Sequence, residues 1–198
     1  MSSNILLSDR PTVAQLEREL KRVTSKRGIK KTIKIIIYIF LTAVALLMIA
    51  LSFMMPVLKV YGDSMEPNTS DGDIVMCIKS SDFEQGDIIA FNHDGKVLIR
   101  RIIGKAGDEV DVHDDGSVFV NGVLLDEPYI KNKDAGISDI DFPYTVPKGS
   151  YFVMGDNRKT AVDSRCKEIG TIKPEDIIGK LTVCIWPVNS VKVRLGFK

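Results

Sequence analysis

The sequence predicts a mainly β protein of 198 residues with one N-terminal transmembrane helix. Three observations predict this architecture. Residues 35–58 carry no charged side chain, whereas residues 1–34 carry nine basic and three acidic side chains. The remaining chain alternates short apolar runs with Gly-Asp and Asp-Gly pairs, which is typical of strands joined by turns. We therefore divide the chain into a basic tail at 1–34, a transmembrane anchor at 35–58 and an outer β domain at 59–198.

The overall composition excludes several classes of protein. The chain has 27 basic and 26 acidic residues and a net charge of +1, which argues against nucleic acid as a partner. A hydrophobic content of 44% with 27% charged residues is not that of a disordered or collagen-like chain. Three cysteines, Cys77, Cys166 and Cys184, are too few for a disulfide scaffold. Their odd number leaves at least one thiol outside any disulfide within the chain.

The segment at 35–58 is long enough to cross a membrane. As a helix its 24 residues span about 36 Å, and a bilayer core needs about 20 apolar residues. A buried core helix rarely runs this long without a polar face, and Pro56 allows the helix to stop near its far end. A cleaved signal peptide with Ala50-Leu51-Ser52 as its exit site is the main alternative. However, 34 residues precede the apolar run, and the run continues past Ser52.

The charge beside the anchor predicts its orientation. Seven basic residues and no acidic residue lie between positions 21 and 34. The positive-inside rule keeps that side in the cytoplasm. The acidic 140-residue outer domain, with a net charge of −5, is then extracytoplasmic. An amphipathic pattern over residues 9–24 predicts a short helix in the tail.

The outer domain is predicted to contain short strands separated by Gly-Asp and Asp-Gly turns. Helical periodicity is limited to a possible short turn near 174–177. Turn-forming residues dominate 131–147, which we interpret as a long excursion or linker. The predicted strands cover 73–79, 87–91, 96–103, 109–112, 117–121, 151–154 and 178–185.

The histidines and cysteines do not predict a metal or cofactor site. His93 and His113 lie in Asp-rich turn regions, where histidine is usually a solvated turn residue, and no third ligand follows at metal spacing. Cys77 and Cys184 lie in apolar strand patterns, where cysteine usually acts as a small core residue. We therefore expect no metal and no cofactor.

A serine-containing motif lies just beyond the apolar segment. Ser64 and Met65 stand in the sequence Gly-Asp-Ser-Met-Glu-Pro at 62–67. A flexible glycine before the serine and the rigid Pro67 after it can hold the hydroxyl in a fixed turn. A lone serine is inert without a base, so its importance depends on its position above the bilayer and on further motifs downstream.

Three further motifs follow in the outer domain. They read QGDIIAF at 85–91, IRRIIGKAGD at 99–108, and MGDNR at 154–158 with DSR at 163–165. Together with the serine motif, four ordered boxes behind an anchor resemble the type I signal peptidase family over almost the whole chain. The resemblance implies a signal-peptidase-type β domain and a membrane-bound serine endopeptidase. It would cleave signal peptides from secreted preproteins at the cell membrane, without a cofactor or a histidine triad.

The resemblance also implies roles for individual residues. Ser64 matches the nucleophile, and its backbone N–H would contribute to the oxyanion hole. Asp163 and Arg165 match a structural ion pair that supports the site. The other residues that match supporting positions are Met65, Pro67, Asp156, Arg158 and Ser164.

The sequence departs from the family pattern at positions that the resemblance places in or near the catalytic site. Arg100 occupies the position of the lysine general base, Ala161 replaces a hydroxyl residue that orients the lysine amine, and Asn68 replaces a common threonine. Deprotonating a free lysine at pH 7 costs about 4.6 kcal/mol, whereas arginine costs at least about 7.5 kcal/mol. Lys96, four residues upstream, would lie about 13 Å away along the strand. We therefore pair Arg100 with Ser64 as catalytic-site residues, but expect Arg100 to hold an anion well and to accept a proton poorly.

Two other functions stay open beside signal-peptide cleavage. One is a catalytically impaired homologue that binds peptide segments and assists surface-protein assembly without cutting. The other is a relative of the LexA-type self-cleaving repressors, which share the Ser-Met motif and a related β domain. The anchor and the absence of a DNA-binding helix pair speak against the second. The expected partners are secretory preproteins and the lipid bilayer, and the oligomeric state stays open.

Overall fold

The computed structural model describes residues 12–187, and within them it describes all side chains except those of residues 25–28. The chain divides between Leu51 and Ser52 into two units. The first unit consists of most of helix α1, which covers Val13–Met54. The second unit carries ten strands and one short 3-10 helix within the described residues.

Helix α1 is continuous through the basic tail and the apolar segment. It is the one helix of the described chain that is long and apolar enough to cross a membrane, and its large apolar side chains are exposed, as in a membrane anchor. The helix predicted over 9–24 is therefore not separate from the anchor, although residues 9–11 lie outside the described residues. The helix ends four residues before the predicted end of the anchor. Pro56 cannot donate a backbone hydrogen bond, and the next residues enter a sheet.

The second unit contains two antiparallel sheets. The larger sheet has the order β1-β2-β10-β3-β4-β9, and the smaller has the order β7-β6-β5-β8. The strands are β1 Val57–Lys59, β2 Ile74–Ile78, β3 Ile88–His93, β4 Lys96–Gly104, β5 Glu109–Val112, β6 Val118–Val120, β7 Val123–Leu124, β8 Tyr144–Thr145, β9 Phe152–Met154 and β10 Ile177–Trp186, and the 3-10 helix covers Pro174–Asp176.

The mainly β prediction is confirmed, and each predicted strand is present within two residues of its predicted bounds. Three short strands were not predicted. β1 lies at the end of the predicted anchor, β8 lies in the predicted linker at 131–147, and β7 lies between two predicted strands. Strands of two or three residues carry too little periodicity to be recognised, because their pairing partners define them.

Both faces of the larger sheet are buried at β3. Ile88 and Ala90 pack into one apolar cluster with Val75, whereas Ile89 and Phe91 pack into a second cluster. A strand that is buried on both faces reads as a continuous apolar run, as residues 88–91 do. β4 pairs with β3 through residues 96–101, and it contributes Ile99 to the first cluster and Ile102 to the second.

The three cysteines are buried, and no disulfide joins them. Cys77 and Cys184 belong to the first apolar cluster, on β2 and β10. Burial raises the pKa of the Cys77 thiol to about 11. Burial also raises the pKa of Cys166, whose thiol lies 3.5 Å from the carbonyl oxygen of Ile137.

Candidate active site

Ser64 lies in the loop between β1 and β2, and contacts on both sides of the serine hold this loop. The backbone N–H groups of Asn68 and Thr69 donate to the carbonyl oxygen of Met65 at 2.9 and 3.1 Å, and the Met65 side chain is buried in the first apolar cluster. Gly62, two residues before the serine, has a φ of +82° and donates its N–H to Asp71 at 2.8 Å. A residue with a Cβ rarely adopts this conformation, so glycine is required there. The loop therefore holds the half-buried Ser64 in place from both sides.

Arg100 on β4 contacts the serine directly. Its Nη1 donates to Ser64 Oγ at 2.8 Å and to the Ile99 carbonyl at 2.6 Å. Its Nε and Nη2 donate to the Val162 carbonyl at 3.1 and 2.7 Å. The residue is only 6% exposed. The structure thus brings together the two residues for which the sequence predicts catalytic roles.

In the contact between Arg100 and Ser64, the arginine can act only as a hydrogen-bond donor. A guanidinium group has five N–H donors and no acceptor, so Arg100 can only donate to the serine oxygen. Burial lowers the pKa of Arg100, and the charge of Asp163 opposes that shift. Even so, an arginine in a protein keeps its proton near neutral pH. Arg100 therefore places a positive charge beside Ser64 and offers no acceptor for the serine proton.

The segment after β9 covers the other side of the serine loop. The backbone N–H of Asn157 donates to the Ser64 carbonyl oxygen at 3.0 Å, and its side-chain amide donates to the Asp63 carbonyl oxygen at 3.2 Å. A Cβ on Gly155 would lie 2.7 Å from the Ser64 carbonyl oxygen and would also contact the Cβ of Ala161. Ala161 is buried at this point and offers a methyl group at the position where the resemblance implies a hydroxyl.

Asp163 and Arg165 form a fully buried ion pair. Arg165 Nε and Nη2 donate to the two carboxylate oxygens of Asp163 at 2.8 and 2.7 Å. Asp163 also accepts the Gly155 N–H at 2.9 Å, and Arg165 donates to the Ala135 carbonyl at 2.6 Å. Ser164 lies between them and accepts the N–H of Val153 at 2.9 Å. This cluster ties the residues beside Ser64 to β9 and to the excursion at 131–147.

Two further buried ion pairs stabilise the segments around Ser64 and Arg100. Arg101 donates to both carboxylate oxygens of Asp156 at 2.8 and 2.7 Å, and the Tyr129 ring lies 3.9 Å from its guanidinium carbon. Arg158 donates to both carboxylate oxygens of Glu127. Burial and the neighbouring Glu127 raise the pKa of Tyr129. Glu127 and Tyr129 were missed in the sequence, because they stand in no motif and acquire partners only in the fold.

Asn68 connects this support to the serine loop. Its side-chain amide donates to an Asp156 carboxylate oxygen at 2.5 Å and to the Tyr129 carbonyl at 2.8 Å. Pro67, beside it, is exposed and lines a cavity of about 420 Å³ together with Glu66, Asn157 and Lys159. The departure at position 68 therefore has a structural role that a sequence pattern does not show.

Lys96 and the two histidines of the described residues form no hydrogen bond with Ser64. Lys96 is exposed at the start of β4, and no lysine within residues 12–187 has a hydrogen bond to the serine. His93 lies 3.7 Å from Asp94, and His113 lies 3.2 Å from Asp111. No group of three or more His, Cys, Asp or Glu side chains suited to a metal ion occurs in the described part of the chain.

The chain is similar to proteins of one family. The family model described as "Signal peptidase, peptidase S26" matches residues 32–186. The chain is 34% identical to signal peptidase I P of Bacillus subtilis subsp. natto, over 77% of this chain and 88% of that protein. It is 32% identical to signal peptidase I U of Bacillus subtilis, over 87% of this chain and 97% of that protein. A crystal structure of a signal peptidase I from Enterococcus faecalis aligns with 51% of this chain and 97% of that one, at 34% identity and a TM-score of 0.44.

Proposed function

Because the chain belongs to the signal peptidase S26 family of type I signal peptidases, we propose that it binds the cleavage region of secretory preproteins and cuts it slowly or not at all. Ser64 is the nucleophile of this proposal and Arg100 is its partner. One observation supports the proposal that cleavage is slow or absent. Arg100 donates a hydrogen bond to Ser64 Oγ at 2.8 Å in the place where the reaction needs an acceptor.

The geometry supports nucleophilic attack only in part. Ser64 is accessible and rigidly held, and its own backbone N–H is available as an oxyanion donor. No base lies within hydrogen-bond distance of its hydroxyl in the described residues, and Ala161 cannot orient one. General-base assistance is worth about 10²–10⁴ in rate. Loss of the general base lowers the rate of cleavage by that factor, whereas binding of the substrate does not depend on the base.

The surface beside Ser64 suits an extended apolar peptide. Tyr61 and Val97 are exposed apolar residues on the two segments that carry Ser64 and Arg100. Val162, whose carbonyl accepts two hydrogen bonds from Arg100, is also exposed. A peptide could add there as a strand, with main-chain hydrogen bonds for affinity and small pockets for specificity. Signal peptides that end in small residues fit this description, as the family implies.

The cleavage test restores the missing base. We expect R100K to supply an amine whose neutral form is accessible, and A161S to give that amine a hydroxyl partner. The R100K/A161S double variant should cleave an Ala-x-Ala signal peptide about 10²–10⁴ times faster than wild type. The measurement is the rate of fluorogenic peptide cleavage by the full chain in detergent micelles.

Two controls accompany this measurement. S64A in the double variant should abolish the gain, because no hydroxyl remains to attack. K96R exchanges an exposed basic residue on the same strand and should leave the rate unchanged. A wild-type rate that the double variant cannot improve would contradict the proposal. Binding of the peptide without any cleavage by wild type or by the double variant would favour the alternative, a homologue that assists surface-protein assembly.

We also propose that the tail at 1–34 is cytoplasmic, that residues 35–58 hold the anchor, and that 59–198 is an extracytoplasmic peptidase-like domain. The basic flank of the apolar segment supports this orientation. Protease added to spheroplasts should digest the outer domain and spare the tail. Immunoblots with tags at each end would measure both, and a digested tail with an intact outer domain would reverse the assignment.

A further inference from the structure

We propose that Ser64 and Arg100 together form a receptor for the free α-carboxylate of a peptide. The protein would then hold the new C-terminal end of a signal peptide after the cut. The inference rests on the proposed function, because the ligand lies in the same peptide site. It adds a ligand group that neither cleavage nor recognition of an uncut chain requires.

The first argument is the charge of Arg100. Arg101, Arg158 and Arg165 are buried, and each forms an ion pair with a carboxylate. Arg100 is buried as well, but it has no carboxylate within ion-pair distance among residues 12–187. Asp163, the acidic residue with the largest effect on its pKa, is already bound by Arg165. A buried charge without a counter-ion is costly, so an anionic ligand would complete this site.

The second argument is the set of donors around Ser64. Arg100 occupies one lone pair of the serine oxygen, which leaves the hydroxyl proton to donate elsewhere. The serine backbone N–H has no acceptor in the described chain. The four hydrogen bonds of Arg100 leave one of its five N–H groups, on Nη2, without a partner. Three donors without a partner favour an anionic ligand at this place.

The third argument identifies the anion. A carboxylate has two oxygens for these three donors, and charge-assisted hydrogen bonds of this kind are the strong ones. The exposed apolar side chains of Tyr61, Val97 and Val162 lie on the segments around the donors and suit a peptide rather than an inorganic ion. Hydrolysis of a signal peptide leaves its carboxylate at the nucleophile. The peptide product therefore matches both the polar and the apolar parts of the site.

The experiment compares peptides that differ only at their last group. One peptide has an apolar core and ends in Ala-x-Ala with a free carboxylate, and the second ends in a carboxamide. The full chain in detergent micelles is titrated with each by calorimetry at pH 7. We expect the carboxylate form to bind roughly 10- to 100-fold more tightly, as expected for hydrogen bonds to a charged group.

Two variants locate the preference. R100M removes the guanidinium and should make the two peptides bind within about threefold of each other. K96M removes one exposed positive charge from the same strand and should keep the wild-type preference. If R100M does not fold, S64A serves instead, because loss of the hydroxyl donor should reduce the preference several-fold.

Each contrary outcome has a distinct meaning. Equal binding of both peptides to wild type overturns the receptor and leaves the proposed function standing. Binding of neither peptide overturns the receptor and the proposed peptide site together. A carboxylate preference that survives in R100M, or that is lost in K96M, places the anion site elsewhere and also overturns the receptor.

Discussion

Arg100 and Arg101 are neighbours on β4, yet their surroundings differ completely. Arg101 is 2% exposed, forms two hydrogen bonds with the Asp156 carboxylate and stacks on Tyr129. Arg100 is nearly as buried, but it donates to two carbonyl oxygens and one hydroxyl. Successive residues of a strand point to opposite faces, which lets one strand supply both environments.

The difference distinguishes the arginines that stabilise the fold from the arginine that contacts Ser64. The arginines that hold the scaffold have their charges matched by carboxylates, so the scaffold is complete without a ligand. The arginine beside the serine has no such match among the described residues. Among the four buried arginines of the described residues, Arg100 is the one without a carboxylate partner, and this leaves its charge for another group beside Ser64.

The largest expected effect comes from substitution of the two neighbours. R101M leaves the Asp156 carboxylate buried without its partner, which should lower the free energy of unfolding by about 3–5 kcal/mol. R100M should cost only about 1 kcal/mol, because lost hydrogen bonds are offset by removal of an unmatched buried charge. Urea unfolding of the full chain in detergent, followed by the fluorescence of Trp186, would measure both. Equal losses would show that Arg100 is as much a part of the scaffold as Arg101.

The next effect is in the pH dependence of cleavage. Burial lowers the pKa of Arg100, but the group stays protonated throughout the accessible range, so Ser64 depends on hydroxide for activation. The residual wild-type rate should therefore rise about 100-fold between pH 7 and pH 9 without a plateau. In R100K/A161S the rate should instead level off above the pKa of the new lysine. A wild-type plateau below pH 9 would reveal a base that titrates in this range.

The smallest effect is expected at an exposed ion pair. Lys105 lies 3.0 Å from Glu84, and the two side chains are 44% and 63% exposed. K105A should change the free energy of unfolding by less than about 1 kcal/mol, because solvent screens such pairs. The same urea titration measures it, with R101M as the buried counterpart. A loss as large as that of R101M would contradict the distinction between paired charges inside the domain and on its surface.

The fold and the family were predicted from the sequence and are confirmed. The residues that surround Ser64 and Arg100 were predicted less completely. Long apolar and alternating runs such as 88–91 identified the principal strands because their periodicity is local. The partners of the buried arginines are not local, and Glu127 lies 31 positions from Arg158. The isolated pattern of Asp163 and Arg165 was compatible with a weak exposed pair, whereas the structure shows full burial. The catalytic roles of Ser64 and Arg100 stay predictions.

The burial of the three cysteines has a consequence for their reactivity. A thiol with a pKa raised to about 11, as for Cys77, is almost entirely protonated at neutral pH, and the thiolate is the form that oxidants and alkylating reagents attack. The three cysteines of the described residues are buried and are not joined by a disulfide. We therefore expect Cys77 to react slowly with oxidants and alkylating reagents for as long as the domain stays folded.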